Sequence, residues 1–247
     1  MNHRKAASFT ILAAFLFMLS CQHQAVDEDL IHVSSYYPLH VGNFIIYTVD
    51  SIHYHETVPW DTSHYEVKEE LVDTFYDNEN RLNYRIERSR RHDESEEFEL
   101  TNVWNVLETK DQIQKVENNL RYIKLVGPIS TDQIWDGHKY LGGLEDIFVE
   151  EQCNNLSFLE DWNFNYAAIE EPMSINGFSF DKTVTVIEEG MINLIEYSYS
   201  KEVYAEGIGL VYKEFDHFTD DDIDCPDCPW PEHVECGYSV VMQVIEF

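Results

Sequence analysis

The chain has 247 residues, 44% of them hydrophobic and 14% aromatic, and sets 47 acidic against 16 basic residues for a net charge of −31. So much apolar and aromatic surface excludes a disordered polyanion. The carboxylate excess excludes nucleic acid as a partner, because the Coulomb attraction that drives phosphate binding is here a repulsion.

Arg4 and Lys5 make a short basic stretch, and Ala6–Leu19 follows, apolar but for Ser8 and Thr10. That run is too short to span a hydrocarbon core of about 30 Å and suits the apolar region of a signal peptide. Met18-Leu19-Ser20-Cys21 resembles the lipobox of bacterial lipoproteins, whose cysteine is acylated and becomes the first residue after cleavage. The sequence thus predicts a signal peptide over residues 1–20 and a lipid anchor on Cys21, where several acyl chains hold a protein that one would hold only marginally. Removing residues 1–20 leaves 14 basic residues against 47 acidic ones, a net charge of −33. Residues 21–35, with Asp27-Glu28-Asp29, are predicted to be an acidic tether, and residues 36–247 a single domain, since no Pro/Gly/Ser-rich linker interrupts them. The expected location is the outer membrane, lipid-anchored and facing the periplasm or the cell surface.

Asn43–Val49 is rich in β-branched and aromatic residues. Over His64–Tyr76, Tyr65, Val67, Leu71 and Phe75 alternate with Glu66, Lys68 and Glu70, the period of a half-buried strand. Asp77-Asn78-Glu79-Asn80 has turn chemistry and Leu82, Tyr84 and Ile86 alternate after it, which predicts a hairpin over 64–91. Further strands are expected at Phe98–Glu108, Gln112–Val116, Leu120–Val126, Asn163–Ile169, Phe178–Ile187, Asn193–Ala205, Gly209–Phe218 and Tyr238–Phe247, with Glu171–Phe178 as a strand lead-in. Only Leu144–Glu151 has helical spacing. Short strands between regular turn signals imply an all-β domain, an antiparallel sandwich or open half-barrel of about ten strands with little helix.

Four further cysteines remain. The loop at 219–237 holds Cys225, Cys228 and Cys236 with His233, the pattern Cys-x₂-Cys-x₄-His-x₂-Cys, which resembles a zinc knuckle with its last gap shortened. In an oxidising compartment the even count, completed by Cys153, points instead to two disulfides. Three pairings are open. Asp220, Asp222 and Asp224 imitate the start of a calcium loop, but Cys225 stands where its glycine and Pro231 where its final glutamate would be, so an EF-hand is excluded.

Arg81, Arg85, Arg88, Arg90 and Arg91 crowd into eleven positions, a candidate anion-binding patch, since guanidinium forks grip carboxylates. Glu66, Glu69 and Glu70 on the preceding strand offer these arginines cross-strand ion pairs instead. His53 and His55 share a strand face as a metal pair might, with chance the stronger explanation among 11 histidines. No Gly-x-Ser-x-Gly elbow or phosphate-cradling glycine loop is present, and carboxylates are too abundant for one pair to stand out. No catalytic residue, metal or cofactor is assigned.

Tyr37-Pro38-Leu39-His40-Val41-Gly42-Asn43, Tyr84–Arg88, Asn119–Val126, Trp135-Asp136-Gly137 and Gly207–Glu214 resemble segments of a family of Bacteroidota lipoproteins to which no activity is attached. The resemblance implies export and a β-rich domain with an open, half-barrel sheet, and it brings no site residues. The cysteine loop departs from it. The expected function is a membrane-anchored, non-catalytic module that binds a protein or glycan partner. The alternative is a carrier of an apolar or lipid ligand, which an apolar concave face lined by residues such as Phe44, Ile46, Tyr65 and Val67 would favour. A flat aromatic strip near Trp230, the tryptophan expected to face solvent, would favour the first. A hydrolase ranks third.

Overall fold

The computed structural model describes residues 30–55, 58–149, 154–160, 162–220, 229–230, 232 and 234–247. The signal peptide, Cys21, Cys153, Cys225, Cys228 and His233 lie outside the described residues. Within Ile31–Phe247 the strands are β1 (Phe44–His55), β2 (Val58–Tyr76), β3 (Leu82–Arg91), β4 (Glu99–Glu108), β5 (Gln112–Glu117), β6 (Leu120–Val126), β7 (Ile134–Asp136), β8 (Phe148–Val149), β9 (Asn154–Asn155), β10 (Asn163–Ile175), β11 (Phe178–Ile192), β12 (Glu196–Ala205), β13 (Gly209–Thr219) and β14 (Cys236–Glu246). Twelve form one antiparallel sheet in the order β6-β5-β4-β3-β2-β1-β14-β13-β12-β11-β10-β7, while β8 and β9 pair separately. The chain is all-β and antiparallel with little helix, as expected, and the sheet curls into a nearly closed barrel.

Tight turns set the register. Asn118 and Asn119, both at positive φ, join β5 to β6, and Asn176-Gly177 does the same between β10 and β11; two-residue loops of this handedness match the twist of the strands they connect. At the β2–β3 turn the Asp77 carboxylate accepts the backbone N–H groups of Glu79 and Arg81, each at 2.9 Å, and the N–H of Arg81 leads in holding its carboxyl down at about 2. The segment Glu171–Phe178 is therefore the end of β10 and its hairpin turn, not a lead-in.

An open sheet of this length would leave β6 and β7 as bare edges, a template for aggregation. Here the two edges meet. Ile123 N donates to Gly137 O at 2.8 Å, Trp135 Nε1 donates to Ile123 O at 3.0 Å, and Tyr166 OH donates to Val126 O at 2.8 Å. Gly137 is required there, because a Cβ would stand 2.2 Å from the Phe164 ring.

Residues 31–35, expected in the tether, are part of the domain. A four-residue helix, α1 (Val33–Tyr36), buries Val33 and Tyr36 in the core, and the strand of backbone around it is tied by Ile129 N to Ile31 O at 3.0 Å and Gly207 N to Ser35 O at 2.7 Å. Apolar Ile31, Val33 and Tyr36 make this stretch part of the domain despite its acidic lead. The expected helix at Leu144–Glu151 is also absent among the described residues. Only Leu144–Asp146 forms a 3-10 turn, which suffices to bury Leu144, and Phe148–Val149 then goes into β8. A second 3-10 turn, Leu156–Leu159, buries Leu156 and Leu159 against the same core.

Candidate functional site

One face of each strand looks into the barrel. On β1 these are Ile45, Tyr47 and Val49, which stand opposite Glu69, Val67 and Tyr65 of β2; on the other side Tyr47, Val49 and Ser51 pair with Val244, Met242 and Val240 of β14. Within this interior lies a cavity of about 210 Å³ whose apolar wall includes Ile45, Tyr47, Val49, Val240 and Met242. Tyr65 lines it too, as expected of an apolar concave face, and so does Phe44 near the mouth of β1. Ile46 sits on the opposite parity, opposite Lys68, and does not line it. Val67 packs in the core cluster that includes Tyr47 and Val49.

The facing wall is charged. Lys115 Nζ donates to Glu69 and to Glu117, both at 2.9 Å. Lys124 Nζ lies 2.8 Å from both Glu188 and Glu202, and Lys213 Nζ reaches Glu202 at 2.9 Å. Tyr204 OH also donates to Glu202, and Ser200 Oγ donates to Glu188 at 2.7 Å. Trp104 floors this region, with Lys115 Nζ 4.7 Å and Arg88 Cζ 4.8 Å from its ring centroid. Lys124, on the edge strand β6, thus joins that half of the barrel to β11 and β12 by ion pairs only 1–6% exposed.

Burial penalises every one of these charges, and the pairing overcomes it. Burial opposes ionisation of Glu117, yet Lys115, helped by Lys213 and Lys124, holds its carboxyl at about 2. Burial likewise opposes Glu202, but Lys124 and Lys213 keep it well below the usual carboxylate range. Lys115 and Lys124 are raised in turn, against burial, by the glutamates beside them. Burial pushes the Tyr37 phenol up to about 12. None of these groups changes charge near neutral pH, so the wall presents fixed charges and is ill matched to proton transfer, which works best when a group titrates near the ambient pH.

A second cavity of about 140 Å³ shares Glu117, Lys124 and Lys213 with the first and is lined also by Phe158, Trp162 and Phe215. Beside it His138 Nδ1 meets Leu159 O at 2.7 Å, and burial takes this imidazole down to about 4. Ser198 Oγ and His217 Nδ1 lie 2.9 Å apart, superficially a nucleophile and its base. Both are sealed at 1% and 0% exposure, and Phe158 stacks on the imidazole at 3.7 Å. Burial alone lowers His217 to about 4.

The five arginines do not form one patch. Register puts Arg88 and Arg90 on the inner face, opposite Glu69 and Val67, and Arg85 and Arg91 on the outer face, opposite Asp73 and Glu66. The cross-strand pairing anticipated from the sequence is present: Arg91 to Glu66 at 2.6 Å, Arg85 to Asp73 at 3.5 Å and Arg88 to Glu69 at 3.8 Å. Arg81 closes on Asp77 at 2.8 Å, and Arg90 stacks on Tyr65 at 3.7 Å. Of the histidine pair, His53 stacks near Tyr238, with ring centroids 4.8 Å apart. Among the described residues no three His, Cys, Asp or Glu side chains gather as a metal site requires. Cys236 opens β14, buried and disulfide-bonded, with its partner outside the described residues. Trp230 is half-buried and does not project alone. It caps a ladder of rings, with centroid spacings of 6.1 Å to Phe218, 5.1 Å from Phe218 to Tyr54 and 4.8 Å from Tyr54 to Trp60, and Trp60 ends it 52% exposed.

The inward lysines were missed in the sequence. Only Lys124 carries a signal, a lone lysine between apolar neighbours in Tyr122-Ile123-Lys124-Leu125. No family model, curated protein or solved structure matches this chain.

Proposed function

We propose that this chain is an exported lipoprotein, anchored through Cys21 at the outer membrane and related to the Bacteroidota lipoproteins it resembles, whose barrel is a non-catalytic binding protein for a small amphipathic ligand. The observation that carries the reading is the cavity of about 210 Å³, apolar on the β1–β14 side and charged on the other. Its volume is below the roughly 300–1,000 Å³ of drug-sized pockets, so the ligand is smaller than a whole lipid. Fixed ion pairs suit recognition, since they neither supply nor take up a proton at neutral pH. The cell-surface or periplasmic setting, and the pairing of Cys236 with one of Cys153, Cys225 and Cys228, belong to the same proposal.

Methyl-labelled methionine reports on this directly. With the full chain in detergent, 3-phenylpropanol should shift the Met242 methyl resonance saturably and leave Met173, which does not line the cavity, in place. An unmoved Met242 at millimolar probe would contradict the proposal. The ladder ending at exposed Trp60 favours a second reading, a glycan or protein contact on the outer face. In that case Trp60→Ala would abolish retention on a glycan array and spare the Met242 titration.

A further inference from the structure

We propose that the cavity ligand is a small monocarboxylate with an apolar or aromatic body, its carboxylate held by Arg88. This rests on the reading of the interior as a binding cavity and names what enters it. The inward carboxylates are already committed: Glu69 and Glu117 each accept from Lys115 at 2.9 Å, and Glu202 accepts from Lys124 and Lys213. Among the described cations that line the cavity, Arg88 is the exception. Its closest carboxylate oxygen, on Glu69, is 3.8 Å from Nε, beyond hydrogen-bond range. No described residue accepts a hydrogen bond from its guanidinium, whose five N–H donors form a rigid fork suited to a planar carboxylate.

The head is also in place before any ligand arrives. Trp104 supports it at 4.8 Å, the side chain is 18% exposed, and Arg88 lines the cavity. Glu69 cannot simply swing to it, because Lys115 claims that carboxylate and lies on the same indole. A cationic ligand would find no carboxylate without an ammonium on it, and a dianion would be repelled by Glu69 and Glu117. A monoanion fits both conditions. Its body would lie on Val49, Val240 and Met242 across the cavity, and the volume leaves room for about one ring and a short chain.

The test compares 3-phenylpropionate, 3-phenylpropanol and 3-phenylpropylamine by the Met242 shift, using the full chain, Arg88→Gln and Arg88→Lys. The carboxylate should bind roughly ten- to a hundredfold tighter than the alcohol, as a charge-assisted fork predicts, and the amine weakest. Arg88→Gln should bring the carboxylate down to the alcohol and leave the alcohol unchanged, while Arg88→Lys should keep only part of the preference. An alcohol that binds as tightly as the carboxylate, or a preference that survives Arg88→Gln, overturns the inference and leaves the cavity reading standing. If none of the three probes binds, both fall. The comparison on the unaltered chain decides the matter even if neither variant folds.

Discussion

Lys124→Met removes the ammonium that joins the edge strand β6 to β11 and β12. Its two partners are affected differently. Glu202 keeps Lys213 at 2.9 Å and the Tyr204 hydroxyl, whereas Glu188 keeps only the Ser200 hydroxyl at 2.7 Å and becomes a buried carboxylate without a cation. Leaving one member of a buried pair uncompensated costs about 3–5 kcal/mol, a large part of the roughly 5–15 kcal/mol that holds a domain together. Urea unfolding at pH 7, followed by tryptophan fluorescence, should show that loss. The double variant Lys124→Met/Glu188→Gln should recover most of it, because the orphaned charge is gone while Glu202 remains paired. A single-variant loss under about 1 kcal/mol, the size of a surface ion pair, or a double variant no more stable than the single one, would refute the reasoning.

Further consequences are open to measurement. His138 and His217 are both lowered by burial to about 4 from 6.5, so the folded barrel keeps them neutral while the unfolded chain takes up protons. Stability should therefore be complete above about pH 6.5 and fall towards pH 4, with a slope approaching about 1.4 kcal/mol per pH unit for each imidazole; equal urea midpoints at pH 7 and pH 5 would contradict this. Gly237→Ala puts a Cβ 2.4 Å from His217 O, a backbone atom that cannot step aside, so a loss of about 1–3 kcal/mol is expected. Gly142→Ala meets nothing within 4 Å and should be near neutral in the same assay. Labelled palmitate should enter the chain and be lost in Cys21→Ala, and mass spectrometry without reductant should find no free thiol among the other four cysteines.

The strands were legible because burial on one face writes a period of two into the sequence, as in Tyr65, Val67 and Leu71 of β2. The turns were legible where their chemistry is local, as at Asp77–Asn80. The Asn176-Gly177 turn is equally local, two residues suited to positive φ. What local patterning cannot reveal is closure. The bond from Lys124 to Glu188 joins strands distant in the chain, and β7, three residues long, has no periodicity to read. For the same reason the site was half visible. Strand alternation alone separates Arg88, on the face of Tyr84 and Ile86, from Arg85; only the register shows that Arg88 stands opposite Glu69. Lys115 and Lys213, each beside a polar neighbour in Gln114 and Glu214, look in sequence like any solvated lysine.

If the ligand sits inside the barrel, filling the cavity must exclude it. Val240 lines the apolar wall at 8% exposure, and Val240→Phe would occupy the space a ligand body needs. This variant, still folded by its Met173 resonance and urea midpoint, should lose 3-phenylpropionate binding. Unchanged affinity in the filled barrel would place the binding elsewhere and contradict the account.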